Sequence, residues 1–91
     1  MFSYNMYLIV IRNKPYYVEV SKRKNKKYDV YTDGKYLLSY GDNRYAHYYD
    51  QFGHYSHLNH LDSKRKKLFY ARHGKTNDVN SGLFWSSRFL W

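Results

Sequence analysis

Ninety-one residues with 16 Lys and Arg against 7 Asp and Glu, a formal charge of +9 with the five His neutral, describe one small domain of strongly cationic character. That length excludes a second core and a large multi-step enzyme. The absence of Cys excludes disulfides, thiolate zinc fingers, iron–sulfur clusters and thiol nucleophiles. A partner met over a wide surface is expected to be acidic: nucleic acid, anionic lipid or an acidic protein face.

Thirteen Tyr, five Phe and two Trp outnumber the aliphatic residues, so the core is expected to be built largely from rings. The longest clean apolar run, Leu8-Ile9-Val10-Ile11, is strand-sized and far short of the ~20 residues of a membrane span. Residues 1–11 lack the basic start and small-residue cleavage site of a signal peptide, which makes an intracellular origin the expectation.

In chain order, residues 4–11 read as a strand, broken near Pro15 and resumed by Tyr16 to Val20. Residues 27–32 and 35–40 flank Asp33-Gly34, a two-residue loop of the type I′ kind, and predict a hairpin. Alternation places Tyr28 and Val30 on one face and Asp29 and Tyr31 on the other, as in an antiparallel sheet with one buried side. Asp42 reads as the N-cap of a short helix through Asp50, with Tyr45, Tyr48 and Tyr49 along one side and Gly53 beyond its end. Asp62 or Ser63 caps a second helix to His73, with Gly74 at its C-terminal boundary and Leu61, Leu68, Phe69 and Arg72 at helical spacing. Residues 75–82 are turn-forming, and residues 83–91 are either a last helical turn or an apolar tail. The expected fold class is α+β in a single domain: an antiparallel sheet of three to four strands in residues 1–40, then two to three short helices in residues 41–91.

Two runs concentrate the charge. Lys22, Arg23, Lys24, Lys26 and Lys27 form the first, Lys64, Arg65, Lys66 and Lys67 the second, and together they hold nine of the 16 cations. The second run crowds the positive end of its own helix dipole. If both share one surface they form a patch for phosphates, with salt-sensitive affinity and little base specificity; otherwise they are solvated faces. Tyr17, Tyr31 and Tyr36 are candidates for stacking unpaired bases.

His57, His60, Asp62 and His73, with His54, His47 and Asp50 nearby, have spacings that could supply metal ligands, but residues 53–60 have no secure helical register. The preferred reading is structural, with His57, His60 and His73 bonding buried backbone and tyrosine hydroxyls, and no metal or cofactor is expected. Gly-rich phosphate loops, nucleophile elbows and His-Glu-x-x-His pairs do not occur, and the one glutamate, Glu19, lies in a strand. Binding is the expected mode of action, not catalysis. Phe84, Trp85, Phe89 and Trp91 crowd the last residues and are expected to divide between the core and a partner, as interface anchors.

The order Tyr40-Gly41-Asp42-x-x-Tyr45, Tyr55-Ser56-His57-Leu58-x-His60-x-Asp62, Lys64-Arg65-Lys66, Tyr70-x-Arg72-His73-Gly74 and Ser81-Gly82-x-x-Trp85-Ser86 to Phe89-Leu90-Trp91 resembles a family of small basic proteins encoded by large DNA viruses of algae and protists. The resemblance covers about residues 27–91. It implies a viral setting, in the virion or in the host cytoplasm or viral factory during assembly, and no particular chemistry. The leading expectation is a minor structural protein that cements larger capsid proteins through aromatic anchors and basic patches. The alternative is a nucleic-acid-binding or genome-condensing protein.

Overall fold

Two tight hairpins and one short connection generate the sheet. A computed structural model describes residues 6–91, so the first two residues of the strand expected over 4–11 lie outside the described residues. Strand β1 (Tyr7–Ile11) turns into β2 (Lys14–Val20) through Arg12-Asn13, both at positive φ (52° and 65°). Strand β3 (Lys26–Thr32) turns into β4 (Lys35–Asp42) through Asp33-Gly34 at φ 56° and 74°, the geometry a type I′ loop requires. The four strands pair in sequence order, all antiparallel, with a bulge between Val30 and Tyr31.

One face of this sheet is apolar. Tyr16, Val18, Tyr28, Val30 and Tyr40 are buried there, as the alternation around Tyr28 and Val30 predicts. The cover is helix α2 (Gly82–Phe89), which starts where the Ser81 side chain accepts the Leu83 N–H. Trp85 sits at its centre, fully buried, with ring centroids 5.3 Å from Tyr16, 6.2 Å from Tyr40 and 5.7 Å from Phe89, and its indole N–H donates to the Val79 carbonyl. Aliphatic side chains being scarce, ring-on-ring contact does most of the packing.

Residues 43–50 are not the helix expected from the Asp42 cap. Asp42 ends β4, and its carboxylate accepts the Arg44 N–H in a local turn. Beyond it the backbone finds distant partners: His47 N–H bonds Leu58, Tyr49 N–H bonds Leu90 and Gln51 N–H bonds Phe89. Those bonds replace the i−4 ladder, and Tyr45 and Tyr49 stay exposed instead of forming a packed stripe. Gly41 shapes the approach: its φ of 75° and the Lys27 stem and Leu90, both about 2.9 Å from where a Cβ would sit, leave no room for a side chain.

Helix α1 (Ser63–His73) follows a short 3₁₀ turn at Ser56–Leu58. The Asp62 carboxylate accepts the N–H groups of Lys64 and Arg65, and Gly74 closes the C-terminus with its N–H on the Tyr70 carbonyl. No residue of α1 is buried. Leu68 is 61 % exposed, and Leu61 lies outside the helix at φ 54°, so the expected apolar spacing does not become a buried stripe. Among the described residues the helix is held by Phe69 stacking on Trp91 at 4.5 Å and 8°, by the Tyr70 hydroxyl donating to the Ser87 carbonyl, and by the Lys66 ammonium over the Tyr48 ring. Among the described residues no helix is long and apolar enough to cross a membrane.

Candidate functional site

Irregular backbone over 43–60 needs internal polar partners, because it has few apolar side chains to bury. Asp50, 1 % exposed, supplies them: its carboxylate accepts the Tyr28 hydroxyl at 2.5 Å and the N–H groups of Phe52 and Tyr55 at 2.9 Å. Asn59 Oδ1 accepts the Asp50 N–H at 2.8 Å and the His47 Nε2–H at 2.6 Å. His47 Nδ1 accepts from Lys27 Nζ at 2.7 Å, and the same ammonium donates to the Tyr45 carbonyl at 2.9 Å. Burial pulls Lys27 down to about 8 and holds His47 below its usual value, the latter with help from the Lys27 charge. Burial, and then Asp50, push the Tyr28 and Tyr40 hydroxyls well above the usual tyrosine range. Asp50, Asn59, His47, Lys27 and Tyr28 are each spent on another group, which marks the network as a device that fixes the loop, and the buried Tyr40 hydroxyl beside it has no hydrogen-bond partner.

Lys27 is therefore removed from the basic patch: it is 2 % exposed and belongs to the interior. The rest of its run stays outside, with Lys22, Arg23, Lys24 and Lys26 exposed. Of the second run, Lys64, Arg65 and Lys67 are exposed and Lys66 is partly covered by Tyr48. The ion pairs among the described residues are Lys14 with Asp33 and Arg44 with Asp42, so no member of either run is in a direct ion pair, although Asp42 lies near Lys26 and Asp62 caps the second run.

Arg65 of the second run and the buried Lys27 of the first reach a common cleft at one end of the sheet, whereas Lys22, Arg23, Lys24 and Lys26 do not line it. The cleft, of about 530 Å³, is walled on one side by Gly41, Asp42 and Tyr45 and on the other by Arg65, Leu68, Phe69 and Arg72 of α1. The first run borders the cleft's strand wall, because Lys26 pairs with Asp42 in the sheet and the Asn43 N–H bonds the Asn25 carbonyl. The one carboxylate in the lining, Asp42, is gripped by the Arg44 guanidinium at 2.7 and 3.0 Å, which holds it down at about 2. On the opposite flank of α1, Ser63, Lys66, Lys67, Tyr70 and Lys75 line a shallower groove of about 600 Å³. The spacings 65/68/69/72 and 63/66/67/70 put these on two separate helix faces. Helix α1 is thus a ridge with cations down both sides.

The remaining expected site residues scatter. Phe84, Trp85 and Phe89 are at most 7 % exposed, and Trp91 is partly buried between Phe69 and His60. For Phe84, Trp85 and Phe89 the expectation of a partner anchor is corrected accordingly: they complete the chain's own core, and Trp91 alone of the four keeps part of its ring in solvent. Of the His/Asp group, His60 Nδ1 accepts the Asp62 N–H at 2.9 Å and Asp62 caps α1, whereas His57 is exposed beside Tyr55 and His73 packs on Phe69. Among the described residues the histidine that bonds a tyrosine hydroxyl is His54, on Tyr7 at 2.6 Å. Among the described residues no three His, Asp or Glu side chains converge as a metal site would need. Sequence reasoning missed the pairing of His47 with Lys27 and the part Tyr45 and Arg72 play in the cleft. No spacing rule links residues brought together by the end of a sheet and a distant helix. Comparison with protein-family models, curated proteins and solved structures returns no match.

Proposed function

We propose that this protein binds nucleic acid non-enzymatically through its phosphate backbone, with α1 as the central contact and the 22–26 loop alongside it. The observation that carries this reading is the state of α1: an exposed helix with four consecutive cations at its positive dipole end, no internal ion pair and only the Asp62 cap as a carboxylate beside them. Each such cation costs the free chain about 0.3–1 kcal/mol, a strain that an anionic partner relieves. A polyanion spanning the ridge gains attraction at several points and releases its own counterions. Anisotropy titrations of a labelled 20-mer from 50 to 200 mM salt test the proposal. A log–log slope of magnitude about three to five is expected for this number of phosphate contacts, and absence of binding at 50 mM salt overturns it.

A second reading has its own observation. Leu8 and Val10 are 58 % and 60 % exposed on the edge strand β1, where an apolar patch fits a protein neighbour. It supports a minor structural component of a virus particle, in the setting that the resemblance implies, meeting a larger shell protein through β1 instead of through the C-terminal rings. Crosslinking at Leu8 in purified particles separates the two: a capsid adduct supports this reading, and crosslinks confined to the genome remove it.

A further inference from the structure

We propose that the cleft between β4 and α1 seats one unpaired nucleotide, its base against Tyr45 and Leu68 and its phosphate between Arg65 and Arg72. Single strands then bind more tightly than duplex. The inference rests on the nucleic-acid reading and adds a substrate class to it. Tyr45 and Leu68 line a concave site yet are 64 % and 61 % exposed, so the cleft leaves in water the kind of surface that a flat apolar ligand covers. Its rim is cationic. Arg65 and Arg72 stand two helical turns apart, about 10 Å along the axis, and bracket the opening. The opposing carboxylate is already chelated by Arg44, so an incoming phosphate meets little repulsion.

A ligand with a planar apolar body and an attached anion satisfies both features, and a nucleotide in a nucleic-acid strand is that ligand. In a duplex the base faces are stacked on their neighbours; only an unpaired base can lay one against a protein ring. The outer face of the sheet, with Tyr31 and Tyr36, is a poorer platform. Those two rings pack on each other, and Arg23 covers Tyr36 at 4.3 Å, closer than Arg44 lies to the Tyr45 ring at 5.6 Å; the strand register also sets Glu19 opposite the buried Asp29.

Anisotropy titrations of a labelled 20-mer of deoxythymidine and of a mixed-sequence duplex of equal length, at one salt concentration, test this. The expected result is at least roughly tenfold tighter binding of the single strand, and a loss of about tenfold in Tyr45→Ala for the single strand alone. Tyr45 is exposed, and an unchanged melting temperature in that variant shows that the fold is intact. Equal or weaker binding of the single strand, or a Tyr45→Ala variant that binds as the parent does, overturns the nucleotide site and leaves the salt-dependent backbone reading standing. Failure of both probes to bind overturns both.

Discussion

Helices α1 and α2 are both short, both begin at a polar cap and both carry aromatic side chains, yet they serve opposite purposes. Helix α2 buries Phe84, Trp85 and Phe89 and bears one cation, Arg88. Helix α1 buries nothing and bears Lys64, Arg65, Lys66, Lys67 and Arg72. The first is the lid of the core, and its burial energy holds the sheet. The second hangs on the body by a ring stack, one hydrogen bond and one cation–π contact, and accepts electrostatic strain that folding does not require. Elements that contribute little to stability and concentrate one sign of charge are where binding surfaces are built.

The largest effect expected from this division is in α2. Trp85→Ala removes the central ring of the core and should destabilise the domain by about 3–5 kcal/mol, enough to unfold a protein of this size. A folded variant by circular dichroism would show that α2 is not the lid described. Next is the network beneath the loop. Asp50→Ala strands the Tyr28 hydroxyl and the Phe52 and Tyr55 N–H groups without their acceptor, a loss of about 3 kcal/mol read from denaturant midpoints.

A smaller effect is expected from pH, and its sign follows from Lys27. Folding holds this amine at about 8, below its ordinary 10.5, so between those values the unfolded chain binds one more proton than the folded one. Stability should therefore rise by on the order of 2 kcal/mol from pH 8 toward 10. Above that, tyrosines of the unfolded chain ionise while buried Tyr28 and Tyr40 keep their protons, and stability falls again. In Lys27→Met the alkaline rise should disappear. If it persists in that variant, another group is its source.

How much of this was legible in the sequence differs by region for a physical reason. Local chemistry sufficed for the β3–β4 hairpin, where Asp33-Gly34 needs only its own φ values, and for α1, where Asp62 and Gly74 act on adjacent backbone. Asp42 carries the same local signal as Asp62 and yields a turn instead, because Leu58, Phe89 and Leu90 compete for the following N–H groups from far along the chain. Lys27 reads as one more cation in a charged run, and only the arrival of His47 and Tyr45 shows that it is interior. The C-terminal rings pose the same problem: their number says they are buried, but not whether in this chain or against another. Exposure of Lys22, Arg23, Lys24 and Lys26 follows from their charge alone, whereas the cleft that Arg65 lines with Tyr45 and Arg72 depends on tertiary placement throughout.

The claim that α1 is built for charge and not for the fold is tested most directly by one variant measured twice. Replacing Lys64, Arg65 and Lys67 together by Gln keeps helix propensity and the Lys66–Tyr48 contact while removing three of the run's four cations. The account predicts a melting temperature equal to or above that of the parent, since the repulsion at the helix N-terminus is reduced, together with a salt slope for oligonucleotide binding reduced by about three. A variant that melts well below the parent, or that binds with the parent's slope, would contradict it.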